Sequence, residues 1–208
     1  LCYQVPAVCR DGMAIIVSPL IALMKDQVDA LRSLGVPAAY ANSSLTLDER
    51  RAVEEDVRQG RIKLLYLAPE RLLTEYTLRL LQEIQVSVIA VDEAHCVSMW
   101  GHDFRPEYRQ LSRLQGIFPQ LSIQALTATA SPQVREDIAE QLQLRQPEML
   151  VGSFDRPNLV YRVQRRSDLF GQVTEVIGRY QGESGIIYCI SKREVNALCR
   201  ILVAHGVR

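Results

Sequence analysis

Lysine is nearly absent from this sequence. Lys25, Lys63 and Lys192 are the only three, and none of them follows a glycine. Within these 208 residues this excludes the Gly-x-x-x-x-Gly-Lys-Ser/Thr loop that cradles nucleotide phosphates. The five cysteines are odd in number and show no Cys-x-x-Cys spacing, which argues against a disulfide framework or a zinc finger. Several of them sit inside apolar runs, where a free thiol serves as a small hydrophobe in a reducing compartment. No apolar run approaches the roughly 20 residues that a membrane helix needs, and no signal-peptide pattern is present. The expected location is therefore cytoplasmic, with no membrane partner. Acidic and basic residues balance at 24 each, so any site for a polyanion must be a local patch rather than a field over the whole protein. Repeats and low-complexity stretches are also missing.

What is there is organised around Val86-Ser87-Val88-Ile89-Ala90-Val91-Asp92-Glu93-Ala94-His95. A near-continuous Val/Ile run is the pattern of a buried strand in a parallel sheet, and ligands of open α/β sheets sit beyond the carboxyl ends of such strands. Side chains alternate along a strand, so Asp92 and Glu93 can face one ligand only if the strand breaks between them. A division of labour follows from their chemistry. Asp92 suits Mg²⁺, held through its water shell, because this hard cation takes oxygen ligands and keeps several waters. Glu93 suits the orientation and deprotonation of an attacking water.

Around this stretch the chain alternates strand and helix. Strands are expected over 13–17, 36–41, 62–68, 86–91 and 121–126. Helices are expected over 1–10, 20–34, 46–59, 69–84, 107–115 and 131–142. Thr46 to Glu49 has the spacing of a capping box, and Ser131-Pro132 reads as an N-cap followed by proline at the first helical position. Repeated strand-then-helix units predict an α/β fold with a mostly parallel, doubly wound sheet. Residues 145–157, with three prolines or glycines and a short strand near Met149–Val151, read as a connection after a first domain of 1–144. A second α/β unit then opens over 158–208, with strands at 158–163 and 185–190, a helix at 168–180 and a capping box at Ser191–Glu194. Leu1 is not a start methionine and the chain opens in mid-helix pattern, so the sequence reads as an internal piece of a longer protein.

The ordered motifs resemble those of the RecQ family of superfamily 2 DNA helicases over nearly the whole chain. Asp92-Glu93-Ala94-His95 is similar to motif II, the DEAH box of these ATPases. The resemblance assigns Asp92 to Mg²⁺, Glu93 to the hydrolytic water, and His95 to a link between the nucleotide and the motif after the next strand. That motif, III, resembles Leu126-Thr127-Ala128-Thr129-Ala130, in which Thr127 and Thr129 would couple hydrolysis to strand movement. Trp100-Gly101-His102-Asp103-Phe104-Arg105-Pro106-Glu107-Tyr108 resembles the aromatic-rich loop that distinguishes RecQ proteins from their relatives. Aromatic faces stack on unpaired bases with little sequence preference, at roughly 1 to 3 kcal/mol per base, so Trp100, His102, Phe104, Arg105 and Tyr108 are candidate DNA contacts. Ser18-Pro19, with Lys25 in the following helix, resembles motif Ia, and Pro69-Glu70-Arg71 resembles motif Ib. Both are expected against the phosphate backbone of one DNA strand.

The resemblance implies a RecA-like parallel sheet flanked by helices, followed by the start of a second RecA-like domain at Ser153-Phe154-Asp155-Arg156-Pro157. It also implies ATP and Mg²⁺ as cofactors, and single-stranded and branched DNA as partners. The implied activity is 3′ to 5′ unwinding in recombination and repair, with nucleoid association if the source is bacterial. The phosphate loop, the later motifs of the second domain and a zinc-binding module are expected only outside these residues. Two rival readings remain at this point. One is a related ATPase acting on RNA, and the other is a non-catalytic interaction remnant of a motor domain.

Overall fold

The computed structural model describes residues 1–42, 44–153 and 156–207. Phe154 and Asp155, two of the residues that marked the expected entry to a second domain, lie outside the described residues. The chain divides into two compact units, Leu1–Met149 and Leu150–Arg208.

The first unit holds five strands: β1 (Met13–Val17), β2 (Ala38–Ala41), β3 (Leu64–Leu67), β4 (Val86–Val91) and β5 (Ile123–Ala125). They pair in the order β2-β3-β1-β4-β5, every pair parallel. Parallel neighbours need crossovers, which are supplied by α2 (Ile21–Ser33), α3 (Leu47–Arg58), α4 (Pro69–Leu72), α5 (Glu75–Gln82), α6 (Pro106–Arg109) and α7 (Leu114–Ile117), while α1 (Gln4–Cys9) precedes β1 and α8 (Pro132–Gln141) follows β5.

The two faces of the sheet read directly from the alternation along β1. Met13, Ile15 and Val17 point into a core shared with Val57 of α3, Leu78 and Leu81 of α5, and Val134 and Ile138 of α8. Ala14 and Ile16 point the other way, against Ala7 of α1 and Met24, Val28 and Leu31 of α2. Both faces are covered, which is why the central strand is apolar throughout.

Capping residues set most helix boundaries. Thr46 and Glu49 form the complete box, with the Thr46 hydroxyl accepting from Glu49 N and the Glu49 carboxylate accepting from Thr46 N. Ser131 accepts from Val134 N ahead of Pro132. The single helix expected over 69–84 is instead two, because the Thr74 hydroxyl accepts from Thr77 N and starts α5 afresh. The helix expected over 107–115 is broken into α6, a 3-10 turn at Gln110–Arg113 and α7.

The second unit contains α9 (Leu169–Arg179), capped by the Asp168 carboxylate, and α10 (Lys192–Ala204), capped by the Ser191 hydroxyl. The expected box at Ser191 is only half formed, since the Glu194 carboxylate pairs with Arg166 at 3.4 Å. The strands expected near 149–151 and over 158–163 and 185–190 are not found among the described residues. Strand backbone needs a neighbouring ladder, and a few short apolar segments do not make a stable sheet alone.

Candidate active site

The strand order places a topological switch between β1 and β4. After β1 the chain travels towards the β2 edge, whereas after β4 it travels towards β5. Ligands of such sheets sit outside the carboxyl ends of two such strands, which here is where Ser18-Pro19 and Asp92-Glu93 lie. The strand ends are clasped, with Asp92 N donating to Val17 O at 2.8 Å and Ser18 N to Leu67 O at 3.1 Å.

The strand breaks where the two acids require it. Glu93 lies in the left-handed region at φ 49, ψ 44, which few non-glycine residues adopt. The turn sends the chain into a 3-10 segment at Ala94–Val97, anchored by Ala94 N donating to Leu126 O at 2.9 Å. Asp92 is half-buried at the strand end. Burial pushes its carboxyl above the ordinary value, and the neighbouring charge of Glu93 pushes the same way. A carboxylate held in that state gains from a cation, so Asp92 fits Mg²⁺.

His95 is buried and its Nδ1 faces two groups at once, Thr127 Oγ1 at 2.9 Å and Glu93 Oε2 at 3.3 Å. Burial lowers its pKa, and His102 lowers it further, so the ring is neutral near neutral pH. Thr127 Oγ1 also accepts from Thr129 N at 3.2 Å. Glu93, His95, Thr127 and Thr129 are therefore one connected set, spanning the turn after β4 and the segment after β5.

The loop after the turn is tied back at several points. Arg105 N donates to Cys96 O at 2.9 Å, and the Arg105 guanidinium bonds Asp103 Oδ2 at 2.9 Å and Pro19 O at 3.3 Å. That hydrogen bond to Arg105 holds the Asp103 carboxyl below its ordinary value. His102 stacks on His95 with ring centroids 4.1 Å apart, and Arg109 lies 5.5 Å over the Phe104 ring. Trp100 is 68% exposed and Phe104 36%, so both rings offer faces to solvent.

Four expected DNA contacts are placed differently. Tyr108 is fully buried, and its hydroxyl donates to Asp92 O at 3.2 Å. It is a strut under the acidic turn, because the apolar phenyl ring fills the core between α6 and β4. The Ser18 side chain and Pro69 are also buried; Ser18 N is already bonded to Leu67 O and proline has no N–H, so neither residue offers a backbone donor to a bound strand. Arg71 is largely buried and pairs with Glu54 at 2.8 Å, joining α4 to α3. Lys25 is exposed, 3.6 Å from Asp29, and Glu70 is exposed.

Sequence reasoning gave no role to the polar network beside Asp92. The Tyr3 hydroxyl donates to Gln27 Oε1 at 2.7 Å and lies 3.5 Å from Asp92 Oδ2, while Gln4 Nε2 donates to Tyr66 OH at 3.1 Å. Burial raises the pKa of both phenols, keeping them protonated as donors. The only signal was the polar Tyr66 within the apolar strand run 62–68.

A five-stranded parallel sheet with an acidic turn at its switch point is a RecA-like α/β domain, and comparison with known proteins gives its family. The DEAD/DEAH box helicase family matches residues 1–138, and the chain belongs to that family. Within it the similarity is to RecQ proteins. The chain is 46% identical over 207 residues to "ATP-dependent DNA helicase RecQ" of Pasteurella multocida (strain Pm70), covering 100% of this chain and 33% of that protein. It is 40% identical over 209 residues to "ATP-dependent DNA helicase RecQ" of Bacillus subtilis (strain 168), covering 100% and 35%. The chain thus spans about a third of the length of these relatives. Among solved structures, the DUF1998 helicase MrfA superposes with a TM-score of 0.68 at 16% identity, over 98% of this chain and 34% of that one, a likeness of fold alone.

Proposed function

We propose that these residues form the DEAH-box half of a DNA-stimulated ATP hydrolysis site in a RecQ-type helicase. The observation that carries the reading is the strained turn at Glu93. It frees the Glu93 carboxylate from the strand and holds it 3.3 Å from His95 Nδ1, itself 2.9 Å from Thr127 Oγ1.

Asp92 would hold Mg²⁺, which would supply positive charge against the phosphates of bound ATP. Glu93 Oε2 accepts the proton of the attacking water, and neutral His95 keeps that carboxylate oriented. Loss of the contact to Thr127 transmits the change to the segment after β5. The phosphate cradle belongs to a Gly-Lys-Ser/Thr loop that these 208 residues do not contain.

The exposed faces of Trp100 and Phe104 stack on the bases of a single strand. The unpaired amides in the first turn of α2, with Lys25, meet its phosphates. Arg105 joins the loop to Pro19, so a strand that moves the loop also moves the crevice rim. Single-stranded and branched DNA as substrates, 3′ to 5′ translocation, work in recombination and repair, and a cytoplasmic or nucleoid location all follow the RecQ likeness, as does a second RecA-like domain opening at 158–208.

The test is Glu93→Gln in a protein that joins these residues to a phosphate-binding loop. Loss of a general base lowers turnover by about 10²- to 10⁴-fold, while nucleotide affinity measured with a fluorescent ATP analogue stays within about twofold of wild type. Retained turnover would remove Glu93 from the proposed role.

A further inference from the structure

Beside the acidic turn, three side chains of different ligand chemistry converge. The ligand atoms of His95, Cys96 and Asp103 all lie within 4.8 Å of one another, the one such group of His, Cys and carboxylate among the described residues. The proposed hydrolysis makes no use of Cys96.

We infer that this cluster is a binding site for a borderline divalent transition metal, Zn²⁺ in the first instance, which clamps the aromatic loop to the acidic turn. The donor set argues for that class. Nitrogen, sulfur and one carboxylate suit Zn²⁺, whereas Mg²⁺ and Ca²⁺ take oxygen ligands. Partners of the ligands are already in place. A metal-bound imidazole directs its other N–H at a carboxylate or other acceptor. His95 Nδ1 faces Glu93 and Thr127 in this way, leaving Nε2 for the metal. Arg105 holds Asp103 Oδ2 from Nε and Nη2 at 3.2 and 2.9 Å, and the same oxygen accepts from Cys96 Sγ at 3.9 Å, so the carboxylate is already turned toward the thiol.

Donor atoms around tetrahedral zinc are about 3.3 to 3.8 Å apart, so the cluster closes by about an ångström on binding. Asp103 supplies that movement and the way in, since its side chain is about half exposed. On binding, the Cys96 S–H bond breaks, the proton leaves to solvent, and the thiolate sulfur forms the metal bond. Water fills the fourth position. Thiolate, Asp103 and the nearby Glu93 carboxylate offset the charges of the metal and Arg105.

A metal there would bridge the turn that carries Glu93 and the loop that carries Trp100. Bound Zn²⁺ therefore prevents the loop from moving independently of the turn and lowers DNA stimulation. This consequence rests on the function proposed above, whereas binding itself does not.

Co²⁺ titration of the 208-residue chain reads the site without any activity, with Cys2, Cys9, Cys189 and Cys199 replaced by serine. The expected result is a thiolate-to-cobalt charge-transfer band that saturates at one Co²⁺ per chain and is displaced by Zn²⁺. Cys96→Ser should abolish it. Asp103→Asn, on the exposed loop, should weaken Co²⁺ affinity by at least about tenfold with an unchanged circular dichroism spectrum. No band with Cys96 as the only thiol, or a band unchanged by Asp103→Asn, would overturn the site. In the ATP-hydrolysing protein, Zn²⁺ should lower DNA-stimulated turnover in wild type more than in Asp103→Asn. Equal inhibition of the two would overturn the clamp.

Discussion

Glu93 holds a left-handed backbone conformation that costs a side-chain-bearing residue on the order of 1 kcal/mol or more. The cost is met by packing around it: Asp92 N clasps Val17 O, Ala94 N clasps Leu126 O, and the Tyr108 hydroxyl supports Asp92 O. Its neighbour His95 gives this residue-scale account a pH dependence. Burial, then His102, lowers the folded pKa below the unfolded value of about 6.5. The stabilising contribution of neutral His95 is full above about pH 6.5 and is lost as pH falls through the folded value, because the unfolded chain takes up the proton first. Urea unfolding at a series of pH values should show His95→Gln losing less stability than wild type as pH drops below about 6.5; parallel curves would contradict this. At this scale the acids were legible, since two adjacent carboxylates at a strand end demand a break. Tyr3, Gln27 and Tyr66 were not, because a polar core network is fixed by distances between α1, α2 and β3 that no local pattern encodes.

The loop from Met99 to Arg105 works as an element because it is pinned at both ends and exposed between them. Gly101 is the tightest pin. A Cβ there would come 2.4 Å from His95 O, closer than carbon and oxygen can approach, and a tight 3.2 Å from Ser98 O, so glycine alone lets the loop lie against the acidic turn. Gly101→Ala should displace the loop and cut DNA stimulation of hydrolysis by about tenfold or more, as misplacement by about an ångström does in other sites. Unchanged stimulation would mean that the contact is not required. Tyr108 marks where sequence reasoning failed for an element. Its place in a run of aromatic and charged residues suggested a surface, yet Pro106 starts a helix that turns it inward. The break at Thr74 was also missed, since a threonine in an apolar-periodic stretch reads equally as helix interior or cap.

For the whole molecule, the five-stranded parallel sheet and its covered faces were legible from apolar runs alternating with amphipathic ones. The strand order was not, because periodicity identifies strands without saying which are neighbours. The second unit departs furthest from expectation, since the apolar segments 158–163 and 185–190 have β-type composition without a ladder to join. With no Gly-Lys-Ser/Thr among the 208 residues, the chain by itself should hydrolyse ATP no faster than background with or without single-stranded DNA. Stimulated turnover by the purified chain, read as phosphate release, would contradict the assignment of the phosphate cradle to a separate segment.

The central claim is that one crevice hydrolyses ATP and that the adjoining loop reports a bound strand to it. The most direct measurement compares basal and single-strand-stimulated ATP hydrolysis of wild type and Trp100→Ala, in the protein that carries these residues together with a phosphate-binding loop. Because Trp100 is largely exposed, the account predicts an unchanged basal rate and a stimulated rate lowered by about tenfold, the scale of one lost base stack. An equal fall in both rates, or no fall in either, would contradict it.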